Sequence, residues 1–264
     1  MYDPDHCPKA SWFHVLCKDI EVDRDNSHII DEHLANQENP LSQSSFSWLR
    51  SAYFMRWTRN PHKSVTLICF EHPPFLRDRL REHLPNMWEQ VVNNPFDLWV
   101  VVLHELFKQI DNQAWNLGNV FRGIEHVRID LFQTRTPCFS FQNFANWRSQ
   151  DLLSSAQQIK ADRETGARDS DFVGLHLVAK HCIYLKEALA AIDRTQEDLS
   201  LQHKEYFEPP SSMNDWYHFR ATQNMLKHKR GLFRSTGLRI ESLDRRVGNI
   251  INLVSSISVD GNHF

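Results

Sequence analysis

The sequence predicts a helix-dominated α/β protein, with a small N-terminal α/β domain followed by long antiparallel helices and a long C-terminal helix. Three observations predict it. A short β-branched run, Ser64-Val65-Thr66-Leu67-Ile68-Cys69-Phe70, lies between Pro61 and Pro73-Pro74 and reads as a strand. Apolar residues recur at spacings of three and four from Phe96 to Ile124, which is one face of a long helix. Further on, apolar residues fall seven apart in paired rows, the pattern of helices packed side by side.

Taken in order, residues 1–46 show no element that can be read and form a poorly defined N-terminal segment. Residues 36–47 are polar, with Pro40 and a serine cluster, and suggest a loop. The aromatic-rich stretch from Ser47 to Trp57 fits either a strand or a helix. The Ser64–Phe70 run is apolar throughout, so burial on both faces is expected. A short helix after Pro74 should end before Pro85, because proline removes a helical N–H and crowds the preceding turn. Asn94-Pro95 reads as a capping residue followed by proline in the first turn of a helix that runs to about Arg128. Gly118 inside that helix suggests a close approach by another helix. The region around Pro137 suggests a packed loop, with a further helix from about Trp147 to Glu164. These elements place an α/β domain over residues 47–168.

Residues 169–264 read as a long helical hairpin. Leu175, Cys182 and Leu189 form one row, and Val178, Leu185, Ile192 and Leu199 a second. Pro209-Pro210-Ser211-Ser212 then breaks the chain. The last helix carries Phe219, Leu226, Phe233, Ile240, Val247 and Val254, each seven residues after the one before. Its companion row is Thr222, Lys229 and Thr236, then Leu243, Ile250 and Ile257, so it begins polar and ends apolar. Phe219, Leu226, Phe233, Ile240, Leu243, Val247, Ile250 and Val254 are the expected seam, closed either within the chain or between chains. Gly231 and Gly237 suggest a bend or a close crossing.

Several classes of function fall away. With 30 basic and 33 acidic residues the net charge is -3, and no basic surplus points to nucleic acid. The five cysteines are odd in number and scattered, without CxxC spacing, which suits a reducing compartment. The N-terminus has no apolar stretch of the kind a signal peptide needs, and no run approaches the 20 or so apolar residues of a spanning helix. His104-Glu105 begins like a zinc-protease motif, but Lys108 stands where the second histidine is required. The pair is therefore expected on a solvent face. His176 and His181 are five apart and do not share a helical stripe. Charged stretches at 122–125 and 241–246 suggest ion pairs within a helix, and Lys227-His228-Lys229-Arg230 a solvated basic face. No catalytic motif is present, and a non-enzyme is expected.

The order of segments carries a resemblance. After the Val65–Phe70 strand come Asn94-Pro95-Phe96-Asp97-Leu98, Ala114-Trp115-Asn116-Leu117 and Val120-Phe121-Arg122-Gly123-Ile124-Glu125. The chain closes with Arg234-Ser235-Thr236-Gly237-Leu238-Arg239-Ile240-Glu241-Ser242-Leu243-Asp244-Arg245-Arg246-Val247-Gly248-Asn249-Ile250-Ile251-Asn252-Leu253-Val254. Together these resemble the cytoplasmic region of the fungal CorA-like magnesium-transporter family, most specifically in the closing stretch. The resemblance implies that the helix from Ser212 is stalk-like and that Mg2+ is a regulatory ion. It also implies a homo-oligomer, or assembly with a membrane-bearing relative. That family's pore lies beyond the stalk with a Gly-Met-Asn signature, which does not occur here. The expectation is thus a pore-less cytosolic sensor and stalk module, with no direct membrane span. The resemblance fixes no metal-binding residue. The alternative is a helical scaffold without ion chemistry, docking partners on the Leu243–Ile257 seam.

Overall fold

The computed structural model describes residues 9–20, 22, 29, 48–58, 63–133, 169–207 and 213–260; within its helices the side chains of 125–133, 169–173, 207, 214–215 and 253–260 fall outside that description. Its elements are β1 (Lys9–Lys18), β2 (Trp48–Thr58), β3 (Ser64–Phe70), α1 (Leu76–Asn93), α2 (Phe96–Gln133), α3 (Asp169–Phe207) and α4 (Met213–Asp260). The architecture is helix-dominated α/β, as the sequence predicts. The three strands form one antiparallel sheet in the order β1-β2-β3. The expected loop at 36–47, the loop around Pro137 and the helix at 147–164 lie outside the described residues.

The chain divides into two compact units. Of the described elements, the first takes the sheet, α1, α2 up to Asn112, α3 from Glu187 and α4 up to Gly237. The second takes α2 from Gln113, α3 up to Lys186 and α4 from Leu238.

In the first unit the sheet buries one face on the helices. Successive strand side chains point to opposite faces, and Phe13, Val15, Cys17, Tyr53, Met55 and Trp57 point inward. Phe13 meets Trp99 of α2 at 5.0 Å between ring centroids, and Trp57 meets Phe96 of α2 and Tyr206 of α3, each at 5.5 Å. Ser11 Oγ donates to Gln202 of α3 at 2.7 Å. Each aromatic side chain buries a large apolar area, so this cluster anchors the sheet to the helices.

Three expectations about this region need correction. The N-terminal segment contains a strand, β1, paired along its length with β2. β3 is not buried on both faces: it is an edge strand, with Ile68 and Phe70 exposed. The first helix does not stop before Pro85 but runs through it to Asn93. Only Leu76 and Val91 of α1 are buried. Water can therefore reach the backbone around Pro85, which softens the cost of the lost helical hydrogen bond.

α3 and α4 form an antiparallel hairpin in the first unit. Moving up one helix moves down the other: Ser200 faces Gln223, Glu197 and Asp193 face Arg230, and Asp193 also reaches Arg234. The buried rows of α3 are those the seven-residue spacing predicts, from Leu175 and Val178 to Leu199.

Candidate polar seam between helices α2 and α4

Against α2, α4 runs parallel. Three hydrogen bonds in the first unit join the two helices, each across a separation of 125 residues: Thr222 to Asp97, Lys229 to His104, and Thr236 to Asp111. A constant offset means both chains rise together. Steps of seven on each helix mean that the contacts repeat every two turns, as in a left-handed coiled pair. The polar start of the α4 row, Thr222, Lys229 and Thr236, is therefore a buried ladder; all three are less than a tenth exposed.

The first rung builds on the capping of α2. Asn94 Oδ1 accepts the Phe96 N–H at 3.3 Å, which fixes the helix start as the sequence predicts. The Thr222 hydroxyl donates to Asp97 Oδ1 at 2.7 Å and accepts from Asn94 Nδ2. Burial pushes the Asp97 carboxyl above its ordinary range, while the Thr222 hydrogen bond and nearby His218 pull it back.

At the middle rung Lys229 Nζ donates to His104 Nδ1 at 3.1 Å, so His104 acts as an acceptor in its neutral form. Burial, then the Lys229 ammonium, lowers the His104 pKa. Burial also lowers that of Lys229, against the pull of Glu105. Glu105 is 3 % exposed and pairs with Arg79 of α1 at 3.4 Å and with Lys108 at 3.3 Å. This corrects the expected solvent face: Glu105 is the buried carboxylate of a four-charge cluster. It also corrects the basic run, since Lys229 turns toward α2 and Arg230 toward α3, and only Lys227 and His228 are exposed. The last rung is Thr236 Oγ1 donating to Asp111 at 2.6 Å.

On the α3 side of α4, Asp193 accepts from Arg230 at 2.7 and 2.9 Å and from Arg234 at 2.7 and 3.1 Å. Those two guanidiniums hold its carboxyl well below the usual range. His203, fully buried, accepts a hydrogen bond at Nδ1 from Gln223 Nε2 at 2.6 Å and stacks on Phe219 at 5.1 Å. Burial lowers its pKa to about 4.

Of the expected seam residues, Phe219 is half-buried against His203, and Leu226 and Phe233 are buried, Phe233 edge-on to Phe107 of α2 at 5.4 Å. In the second unit Ile240, Leu243, Val247 and Ile250 are buried. Val254 lies on α4, with its side chain outside the described residues. Leu243, Val247 and Ile250 are therefore covered within one chain and offer no free docking face, which corrects the scaffold expectation for that stretch. The stretch at 241–246 pairs between helices: Lys186 Nζ binds Asp244 at 2.6 Å, and the Arg246 guanidinium lies over the Phe121 ring. Sequence reading missed the partners of the ladder on α2. Asp97, His104 and Asp111 are themselves seven residues apart, and that was the available signal.

Among the described residues no group of three or more histidine, cysteine or carboxylate side chains is placed to hold a metal ion. Among the described residues no helix is long and apolar enough to cross a membrane. No family model, curated protein or solved structure matches the chain.

Proposed function

We propose that this chain is a non-catalytic sensor and stalk module of the CorA-like kind, acting in the cytoplasm as a homo-oligomer or with a membrane-bearing relative. The observation that supports this reading is the heptad ladder that locks α4, a helix of 48 residues and about 70 Å, in parallel register with α2. A stalk transmits a state along its length only if its register has discrete settings. Buried polar rungs supply them, because moving α4 strands a carboxylate without its hydroxyl partner. Mg2+ is the ion the resemblance implies; binding preferentially to one setting, it would shift the population toward that setting. Light scattering and thermal melting with and without millimolar Mg2+ test this. A magnesium-dependent change in size or melting temperature is expected, and an indifferent species would overturn the ion-sensing part.

A second reading, an interaction scaffold without ion chemistry, draws on the outer face of the sheet. Trp12, Phe54 and Ile68 align across the three strands beside His14, Ala52 and Phe70, and Trp12, Ile68 and Phe70 are exposed. Arg50 and Arg56 flank this patch on β2, and the three strands contain no aspartate or glutamate. Such a face suits an acidic partner segment with apolar anchors. Binding of an acidic, leucine-bearing peptide that persists with divalent ions chelated, and is lost in Trp12→Ser, would favour the scaffold.

A further inference from the structure

The sheet of the first unit packs its inner face on helices and presents the outer one to solvent, with Trp12 and Phe70 more than half exposed. The register orders that outer face. Trp12, Phe54 and Ile68 make one row across the strands, and His14, Ala52 and Phe70 the next. On the central strand, Arg56 lies just beyond the first row and Arg50 just beyond the second. Both arginines are exposed, and among the described residues neither enters an ion pair or a hydrogen bond. The three strands contain no aspartate or glutamate to answer them. Side chains an even number of positions apart share a strand face, so Arg50 and Arg56 stand on one side of β2, about 20 Å from each other along the strand. A largely apolar band is thus bracketed by two unanswered positive charges.

We propose, on the scaffold reading of this face, that it docks an acidic amphipathic helix of a partner protein. The helix lies along β2, with its apolar stripe on Trp12, Phe54, Ile68 and Phe70 and a carboxylate over each arginine. The backbone decides for a helix. β2 is hydrogen-bonded to β1 on one side and to β3 on the other, so a segment laid on the face finds no free ladder groups on the central strand. An α-helix satisfies its own backbone, whereas an extended segment there would bury unpaired N–H and C=O groups. The arginines set the spacing. About 20 Å is close to four helical turns, so carboxylates about 14 residues apart share a helix face at the required separation. Guanidiniums match carboxylates bidentately, which adds direction to the charge attraction. The same charges disfavour a second copy of this face, which would set arginine against arginine.

The test is fluorescence anisotropy of a labelled peptide titrated with the full chain, divalent ions chelated. The peptide has about 18 residues, with glutamates about 14 apart around a leucine stripe. Saturable binding is expected, about threefold weaker or more in Arg50→Ala and in Arg56→Ala. It should also weaken when the glutamates stand about 7 apart, because only one arginine can then be met, and vanish with a proline in mid-peptide. The chain carrying Arg50→Glu with Arg56→Glu should melt as the wild type does, lose this peptide and bind its lysine counterpart, a switch that misfolding cannot produce. Binding that is lost in Trp12→Ser yet indifferent to glutamate spacing and to the two charge reversals overturns the docked helix and leaves the scaffold reading standing. Binding of neither peptide overturns both. A dimer in sedimentation that Trp12→Ser dissociates, or peptide-competed binding to phosphatidylcholine vesicles carrying phosphatidylserine, assigns the face to a second copy or to a lipid surface and likewise overturns the proposal.

Discussion

Between Thr222 and Thr236, α4 turns a threonine, a lysine and a threonine into the companion row of its seam; at Leu243 and Ile250 the same row is aliphatic. The period is identical and the chemistry is opposite. Aliphatic layers tolerate a slip of one heptad, because Ile250 in the place of Leu243 buries much the same surface. The polar layers do not tolerate it. A slip that brings Leu243 opposite Asp111 takes away that carboxylate's Thr236 donor, and a carboxylate set against an aliphatic side chain is costly. The apolar half therefore supplies adhesion, and the polar half supplies register.

The largest way to break this contrast is to put a charge into the apolar half. Val247 is fully buried, and Val247→Asp should cost about 4 kcal/mol or more, since nothing there is provided to pair it; urea unfolding measures this. Acid is the next largest probe, and it acts on the first unit. His203 is held neutral with a pKa of about 4 against an ordinary 6.5. Below pH 6.5 the unfolded chain takes up a proton that the folded chain refuses. Stability should thus be full at pH 7 and fall by about 3 kcal/mol as the pH drops to 4. His104, whose pKa is lowered as well, adds in the same direction. His203→Phe should flatten much of this dependence in pH-resolved melts. Thr222→Val keeps the shape but removes the donor to Asp97, for an expected loss of about 2 kcal/mol. Smallest is Gly231→Ala. Gly231 is exposed and an added Cβ meets nothing within 4 Å, so the change should stabilise the chain by about 1 kcal/mol. This also replaces the expected close crossings at Gly231 and Gly237, both of which face open space.

The long helices were legible because their apolar rows repeat over many turns, and the capped start at Asn94-Pro95 was legible because its chemistry is local. β1 was hidden because both faces of the strand carry apolar residues. Phe13, Val15 and Cys17 point inward while Trp12 and Leu16 point out, which erases the alternation that marks a half-buried strand. The same two-faced apolarity gave β3 a buried look, although it lies at the sheet edge. Glu105 and Lys229 were misplaced for the converse reason. Residue type assigns charge to solvent, and only the packing of α1, α2 and α4 reveals that these charges meet one another. Gly118 suggested a close helix approach, and a Cβ there meets nothing within 4 Å instead.

The central claim is that the polar rungs are energetic links between α2 and α4 and not incidental neighbours. A double-mutant cycle on the first rung measures this directly, using Asp97→Ala, Thr222→Val and the pair in urea unfolding. The account predicts a coupling of about 1 to 2 kcal/mol between the two positions. Losses that simply add, within about 0.3 kcal/mol, would contradict it and leave the register of α4 to its apolar rows alone.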